Sequence, residues 1–400
     1  MSRILLLNQY YSPDTSATAA LARDVVDALS AAGHTVTVLS GRPSYDPAER
    51  FSWRWLRREV KGEVSVERVG SFAFSRHRMP GRVANYASYL VLALLRGFAL
   101  PTDVVLVMTD PPVAVVIGAI VAGWHRVPLV YNVRDLHPDM AIAAGLVHGG
   151  IRVSLWEALH RWALRRAARV IVLGEDMRRR VIAKQVSPDR IAVVRDGTAV
   201  LAGTAPRDDA VSREVRCGFP FVVMHAGNLG FAGAWETLLA AAAALQGDGT
   251  GFVFVGGGAA ATGLRAQAAS LENVRFLPFR PAAEVPLLLA AGDLQIVTVR
   301  RGLEGLVVPS KLYPVLAAGR PVLAVAPEGS DVAAIVREVG CGWVADPDSP
   351  QAVASAVREA RTSPAELTAR GARGRAAAPT FNRAKLLATY VREVEHAFSA

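Results

Sequence analysis

VTVRRGLEGLVVPSKLYPVLAAGRPVLAV, residues 297–325, is the stretch that decides the fold. It begins as an apolar, strand-like run and continues into a loop rich in arginine, glycine and glutamate. The pattern then predicts a short helix over 311–318, ended by Gly319, and a second apolar strand over 321–325. Open α/β sheets bind phosphorylated ligands where a loop leaves the carboxyl end of a strand and enters a helix. The stretch therefore predicts a phosphate-binding loop.

The same alternation of apolar strands and amphipathic helices fills the rest of the chain. A strand over 3–8 and a helix over 17–32 open the first half, and a new series starts at 221–225. Between the two series, over 195–220, the apolar pattern lapses, which is typical of a linker. The sequence thus predicts an α/β protein with two Rossmann-like, doubly wound domains, at residues 1–195 and 196–380, and a terminal helix over 381–400.

Composition narrows the class of protein. The chain has 400 residues, and 52% of them are hydrophobic, which is enough for two buried cores. Its two cysteines, Cys217 and Cys341, have no metal-ligand spacing and exclude a disulfide framework. The first strand is too short for a signal peptide, and the longest apolar run, 86–100, is interrupted by Arg96 and Gly97. A cytoplasmic location is expected, and the first loop lacks the G-x-G-x-x-G pattern of a dinucleotide coenzyme site.

The net charge of +10 is compatible with several classes of binding partner. A basic surface suits nucleic acid, anionic lipid or phosphorylated substrates, or it is simply an arginine-rich solvated surface. No nucleic-acid reader motif is present, so no nucleic-acid partner is expected. A peripheral contact with a membrane surface is suggested by the helix over 86–100, which could also be a core helix. The same contact is suggested by a patch of aromatic and basic residues: Trp53, Trp55, Arg57 and Arg58.

Five segments together resemble a known family. They are NQYYSPDTSATAALARDVVDALSAAGHTVTVLS (8–40), HAGNLGFAGAWETLLAAA (225–242), FVFVGGG (252–258), ENVRFLPFRPAAEVPLLLAAGDLQIV (272–297) and VPSKLYPVLAAGRPVLA (308–324). In this order they resemble the retaining GT-B glycosyltransferases of glycosyltransferase family 4. The variants RDLHPDM (134–140) and PSKLY (309–313) resemble the branch that transfers amino- or deoxy-sugars during surface-polysaccharide synthesis.

The resemblance implies a GT-B fold, with two Rossmann-like domains facing across a cleft and the terminal helix returning to the first domain. It implies an enzyme that moves a hexosyl or N-acetylhexosaminyl group from a nucleoside-diphosphate donor, with retention of anomeric configuration. The donor, expected to be UDP-linked, is held mainly by the second domain, and no cofactor or metal is required. The acceptor is a hydroxyl of a polyprenyl-linked saccharide or of a secondary metabolite.

A nucleotide-sugar site must neutralise a diphosphate, and glycine-rich loops, hydroxyls and cations can do so. Lys311 is expected to do this and to act in catalysis. Some of the other candidates have simpler interpretations. The 227–230 loop could be a plain turn, and Ser16 could be a helix N-cap. Arg300 and Arg301, in the loop of the 297–325 stretch that we call the signature loop, could each be a surface cation. The donor-binding candidates are Ser16, Gly227, Asn228, Gly230, Gly256, Gly257, Pro278, Phe279, Arg280, Arg300, Arg301, Ser310 and Lys311.

The chain departs from the family pattern at four positions. An arginine and a lysine are expected where Asn228 and Gly233 stand, and two glutamates where Leu306 and Pro314 stand. Glu304 is the candidate catalytic carboxylate, because it could replace the first glutamate if the loop shifts. The alternative is a structural role as the partner of Arg300 or Arg301.

Asp135 and His137 follow a predicted strand in the first half. Either could orient or deprotonate the acceptor hydroxyl. The alternatives are a structural ion pair of Asp135 with Arg134 and a packed loop histidine. For the whole chain, the alternative functions are a GT-B sugar-nucleotide epimerase and a non-catalytic scaffold.

Overall fold

The fold is described from a computed structural model that covers residues 1–43, 55–74, 79–199 and 209–399. Trp53 of the aromatic and basic patch lies outside these ranges. The chain divides into two compact units. The first comprises Met1–Val194 and Leu386–Ala400, and the second comprises Arg195–Lys385.

The first unit is built on an eight-stranded sheet in the order β3-β4-β2-β1-β5-β6-β7-β8. All neighbouring strands are parallel except β3 and β4, which form an antiparallel hairpin at one edge. Short runs of leucine, isoleucine and valine form the central strands because parallel strands are covered on both faces. The strands are β1 (Arg3–Leu7), β2 (Thr35–Ser40), β3 (Leu56–Lys61), β4 (Val64–Val69), β5 (Val104–Val107), β6 (Leu129–Asn132), β7 (Arg169–Val172) and β8 (Ile191–Val193).

Helices cover both faces of this sheet. On one face α1 packs with the end of the chain, where Tyr390, Val391 and Val394 enter the core. On the other face lie α2, α3 and α5. None of the described helices is long and apolar enough to cross a membrane. The helices are α1 (Ala17–Ala31), α2 (Met79–Ala99), α3 (Ala114–His125), α4 (Asp139–Ala143), α5 (Ile151–Arg166), α6 (Glu175–Ala183) and the terminal helix (Arg383–Ser399).

The second unit has a six-stranded, all-parallel sheet in the order β11-β10-β9-β12-β13-β14. Its strands are β9 (Phe221–Ala226), β10 (Thr250–Val255), β11 (Val274–Leu277), β12 (Leu294–Thr298), β13 (Val322–Val325) and β14 (Gly342–Ala345). Its helices are α7 (Ala210–Arg216), α8 (Trp235–Ala243), α9 (Ala261–Gln267), α10 (Val285–Ala291), α11 (Leu312–Ala317), α12 (Asp331–Val339), α13 (Pro350–Thr362) and α14 (Pro364–Ala377). The terminal helix, which returns to the first unit, is α15. Two parallel-sheet units confirm the predicted α/β fold class.

The segment predicted as a linker contains a helix, α7. Asp209 caps it by accepting hydrogen bonds from the backbone of Val211 at 2.8 Å and of Ser212 at 3.0 Å. Arg216, in its last turn, forms an ion pair with Asp293 at 3.0 Å. A seven-residue helix has too few turns to show an apolar period, but the Asp N-cap was a readable signal.

Helix α3 lies very close to the sheet because of Gly118. A Cβ atom on Gly118 would stand 2.2 Å from the Cγ2 atom of Val107 in β5. Gly123, one and a half turns later in the same helix, has no atom within 4 Å of the equivalent position. The first glycine is therefore required by packing, and the second is not.

We expect Gly118→Ala to lower the free energy of unfolding by about 1–3 kcal/mol, because the stiff valine cannot move away from the added methyl group. Gly123→Ala is the matched control, and it should raise stability by up to about 1 kcal/mol through helix propensity. Urea unfolding of both variants measures the difference. Equal stability of the two variants would contradict the close packing.

Candidate functional site

The second sheet has a switch point between β9 and β12. From β9 the chain continues outward to β10 on one side, whereas β12 leads to β13 on the other. Ligands of open α/β sheets bind in the crevice that forms at such a point, outside the carboxyl ends of the strands. Two loops leave the sheet there, 227–234 after β9 and 299–311 after β12. They are joined by hydrogen bonds from the Arg300 backbone to Ala232 at 2.7 Å and from Ala234 to the Thr298 hydroxyl at 3.0 Å.

Glycines make the loop after β9 fit closely against the loop after β10. Gly227 and Gly256 have φ angles of 132° and 139°, which side chains rarely adopt. A Cβ atom on Gly256 would stand 2.1 Å from the Gly227 carbonyl oxygen, and one on Gly258 would stand 2.3 Å from the Asn228 side chain. The Leu229 backbone also donates to the Gly257 carbonyl at 2.7 Å. The predicted donor-binding residues of both loops therefore form one rigid glycine-lined wall.

The side chain of Lys311 packs against this wall at Gly227. Its Cε atom lies 2.3 Å from where a Cβ atom of Gly227 would stand, so a side chain at Gly227 would displace the lysine from this position. Burial lowers the pKa of the Lys311 ammonium. Within the ranges that the structure covers, no carboxylate pairs with this lysine. Lys311 is half-buried, and a partly desolvated cation without an ion pair is unfavourable, so an anionic ligand would relieve that cost.

Lys311 also borders two cavities. The first, of about 150 Å³, is lined by mostly apolar residues together with Gly227, Phe279, Arg280 and Pro314. The second, of about 210 Å³, is more polar. Its lining includes His225, Asn228, Gly230, Gly233, Trp235, Thr298 and Pro309. Lys311 is the one lining residue that the two cavities share.

His225 is a residue of the second cavity that the sequence analysis missed. Its side chain is buried, and its ring meets Trp235 edge-on with the centroids 4.9 Å apart. Neither ring nitrogen has a well-aligned hydrogen bond to a described residue, although the backbone of Asn228 and Ile296 approaches the ring. Burial and the Lys311 charge lower the pKa of His225 to about 3, so the imidazole is neutral at pH 7. The readable signal was a polar residue near the end of an apolar strand.

The loop after β11 forms the outer wall of the first cavity. Pro278 and Phe279 are exposed, and the Phe279 ring lies over Gly256 and Gly257. Arg280 lines the cavity while it is held by Glu214 and, at 3.7 Å, by Glu284. The hydrogen bond that Arg280 donates to Glu214 raises the pKa of this guanidinium. The wall therefore offers an aromatic surface and a fixed cation.

In the first unit, Asp135 and His137 lie in the loop between β6 and α4. Asp135 is half-buried, whereas His137 is buried and stacks on Trp156 of α5 with the ring centroids 5.7 Å apart. Burial lowers the pKa of His137 to about 4, although the nearby Asp139 opposes this. Such a histidine is neutral at pH 7 and a weak base.

Lys184, which the sequence analysis did not single out, fixes this region. It closes α6, and its ammonium reaches Asp139 at 2.6 Å and Glu157 at 2.9 Å. These ion pairs join α6 to α4 and α5. The short helix that follows His137 is therefore anchored by a mostly buried cation.

Ser16 lies at the start of α1, and its hydroxyl accepts a hydrogen bond from the Ala19 backbone at 3.1 Å. This is the N-cap that the sequence analysis held open as the alternative.

Two family models match the chain, one in each unit. The model for a glycosyl transferase 4-like domain matches residues 17–197, and the model for glycosyl transferases group 1 matches residues 220–362. Together they span most of the chain in the order in which the two sheets occur. The chain belongs to the GT-B glycosyltransferases of family 4. The family suggested by the sequence motifs is thereby confirmed.

Two curated relatives are named as glycosyltransferases. WbjE of Pseudomonas aeruginosa, described as a probable glycosyltransferase, is 28% identical over 68% of this chain and 70% of its own. WcaI of Escherichia coli K12, assigned to colanic acid biosynthesis as a glycosyl transferase, is 25% identical over 92% of this chain and 94% of its own.

Solved structures share the fold over the whole chain. Sucrose-phosphate synthase from Thermosynechococcus elongatus superposes with a TM-score of 0.76 at 15% identity, and each chain is covered completely. HepE from Anabaena, solved in complex with UDP-glucose, gives a TM-score of 0.70 at 18% identity and covers 99% of this chain and all of its own.

This glycosyltransferase has no carboxylate at either of the two positions where the family pattern has glutamates, which are occupied by Leu306 and Pro314. Leu306 is buried in the signature loop itself, and Pro314 lines the first cavity beside Lys311. Glu304 is half-buried at a bridge to Val307, so the nearest carboxylate is two residues from the first family position.

The remaining candidates of this loop are exposed. Arg300 and Ser310 lie at its two ends. Arg301 points to another part of the unit, where it pairs with Asp346 at 2.7 Å and with Asp348. Arg301 lines neither cavity.

Three buried histidines are expected to make the stability of the fold sensitive to acid. The pKa values of His137, His160 and His225 are lowered to about 4, 3 and 3. The unfolded chain therefore binds more protons than the folded one below the ordinary value of about 6.5. Above that pH the neutral histidines do not lower the free energy of unfolding. As the pH falls toward its folded pKa, each histidine lowers the free energy of unfolding by about 1.4 kcal/mol per pH unit.

We expect the free energy of unfolding in urea to fall between pH 7 and pH 5, and His160→Gln to reduce that fall. His148→Gln is the control, because His148 is exposed and should leave the acid loss unchanged. An acid loss in His160→Gln as large as in the unmodified chain would contradict this account.

Proposed function

We propose that the second unit binds a nucleoside-diphosphate sugar, with the diphosphate on Lys311. The observation that carries this proposal is the half-buried ammonium that has no ion pair in the described part of the chain and borders both cavities. Backbone N–H groups of the glycine-rich loop 227–230 would add neutral donors to the same phosphates. A donor bound in this way would place one end in each cavity.

The two cavities suit the two ends of such a donor. The first, with the Phe279 ring and mostly apolar walls, suits the nucleoside, and the second, with His225, Asn228 and Thr298, suits the sugar hydroxyls. The fold shared with HepE, which was solved with UDP-glucose, supports a UDP-linked donor. Arg301 is left out of the proposed donor set because two aspartates already hold it.

The reaction we propose is transfer of a hexosyl or N-acetylhexosaminyl group to an acceptor hydroxyl with retention of configuration. The C1–O bond to the diphosphate breaks, the acceptor oxygen bonds to C1 on the same face, and the acceptor proton passes to the departing phosphate oxygen. Lys311 stabilises the charge that develops on that phosphate. The low pKa of His137 supports this route, since a base of that strength is a poor proton acceptor at pH 7.

For the acceptor we propose a polyprenyl-linked saccharide bound by the first unit. Asp135 and the neutral His137 would hydrogen-bond its hydroxyl. The assignment of WcaI to colanic acid biosynthesis supports a role in polysaccharide assembly.

Lys311→Met tests the donor site, because it removes the charge and keeps most of the buried stem. We expect UDP to bind about 10- to 100-fold more weakly by calorimetry, since a charge-assisted contact contributes roughly 1.5–3 kcal/mol. Arg301→Ala is the control and should bind UDP as the unmodified chain does. Unchanged affinity in a folded Lys311→Met variant would refute the phosphate role.

The reaction itself is tested with UDP-sugars and polyprenyl-linked saccharides, and NMR of the product gives the anomeric configuration. We expect product with the anomeric configuration of the donor, and Lys311→Met should form it at least tenfold more slowly. Inversion would contradict the retaining route. A change in the donor without an acceptor would indicate an epimerase, and failure to bind any nucleoside diphosphate would indicate a scaffold.

A further inference from the structure

Three helices of the first unit expose apolar side chains on the side away from the sheet. In α2 the exposed residues include Val91 and Leu95, in α3 Ile120 and Trp124, and in α5 Leu155 and Leu159. Each pair is spaced by four residues, so each helix carries an outward apolar stripe. The opposite sides of the helices face the core, and the helices are therefore apolar on two sides.

The three stripes form one surface, which we call the α2–α3–α5 face. Helix α3 lies between the other two and contacts both. At the α2–α3 contact, a Cβ atom on Gly97 would stand 2.8 Å from Val121, and the His125 ring meets the Gly97 carbonyl at 2.9 Å. Phe98 and Trp124 pack with their ring centroids 5.1 Å apart. The stripes of α2 and α3 are thus fixed side by side by close packing, and α5 is the neighbour of α3 on its other side.

Exposed apolar side chains are concentrated in the first unit. Of the eighteen large hydrophobic residues that are exposed in the described ranges, sixteen belong to the first unit, and the second has only Phe231 and Phe279. Single exposed hydrophobic residues are ordinary, but contiguous ones mark an interaction surface. The α2–α3–α5 face is such a contiguous set.

The charges around this face have one sign. Helices α2 and α3 contain no carboxylate. The one in α5, Glu157, is taken up by Arg161 at 3.1 Å and Lys184 at 2.9 Å. The exposed charges at the ends of α3 and along α5 are arginines: Arg126, Arg152, Arg165 and Arg166.

An apolar centre with a basic rim is complementary to an anionic bilayer surface, and it is not complementary to the same face on a second copy of the chain. In a two-fold dimer the same patch meets itself, so arginine would approach arginine. Anionic headgroups pair with the arginines, while tryptophan and aliphatic side chains enter the boundary with the acyl chains.

We propose that the α2–α3–α5 face docks the protein on an anionic membrane surface. Trp124 and Leu95, 66% and 61% exposed, would enter the interface from adjacent helices, with Leu159 beside them on α5. The proposal does not depend on the donor chemistry. The helix over 86–100 has both a core side, with Tyr89, and an exposed side, with Leu95, so the proposal is compatible with both alternatives for that helix.

Flotation with vesicles of phosphatidylcholine and phosphatidylglycerol tests the surface. We expect the unmodified chain to bind mixed vesicles at least tenfold more tightly than pure phosphatidylcholine vesicles, and 0.5 M salt to weaken that binding. The variant Leu95→Ser/Trp124→Ser/Leu159→Ser should lose at least tenfold in binding. Because all three side chains are exposed, the variant should keep its circular dichroism spectrum and its affinity for UDP.

The matched control is Trp55→Ser/Val60→Ser, which removes exposed apolar side chains at the β3 edge of the same unit, 66% and 65% exposed. It should float as the unmodified chain does. Loss of binding in this control alone would overturn the assignment of the face. So would failure of the unmodified chain to bind vesicles, or a dimer that the triple variant converts to monomers.

Discussion

The candidate site depends on the half-buried ammonium of Lys311, which forms no ion pair within the described residues. A partly desolvated cation without an ion pair is unfavourable. The lysine keeps this position because its aliphatic stem packs against Gly227. Gly227 is in turn packed against Gly256, and both belong to loops that leave neighbouring parallel strands. The position of one charge is therefore set by the sheet topology, through two glycines that cannot carry a side chain.

The fold could be predicted from the sequence because its signals are local. Uninterrupted apolar runs such as 3–8 and 221–225 occur where strands are covered on both faces, and capped amphipathic helices separate them. The exception, α7, is short enough that its Asp209 cap was its clearest signal. Local patterns also placed Lys311 at the start of a helix beside a strand end.

Long-range pairing is what the sequence could not supply. Arg301 looks like a phosphate ligand from its loop, but Asp346 holds it from 45 residues further along the chain. His225 looks like part of a strand, and only the fold shows that it lines a cavity with Lys311. The outward stripes of α2, α3 and α5 are likewise invisible until the sheet shows which side of each helix is covered.

The last turns of the chain complete the core of the first unit, and this affects the order of folding during synthesis. Tyr390 and Val394 are buried in one core with Ile4 and Leu6 of β1, and Glu393 pairs with Arg169 at 2.5 Å. The second unit, by contrast, is continuous from Arg195 to Lys385. Part of the apolar surface of the first unit therefore stays uncovered until residues 386–399 have been synthesised, whereas the second unit is complete before them.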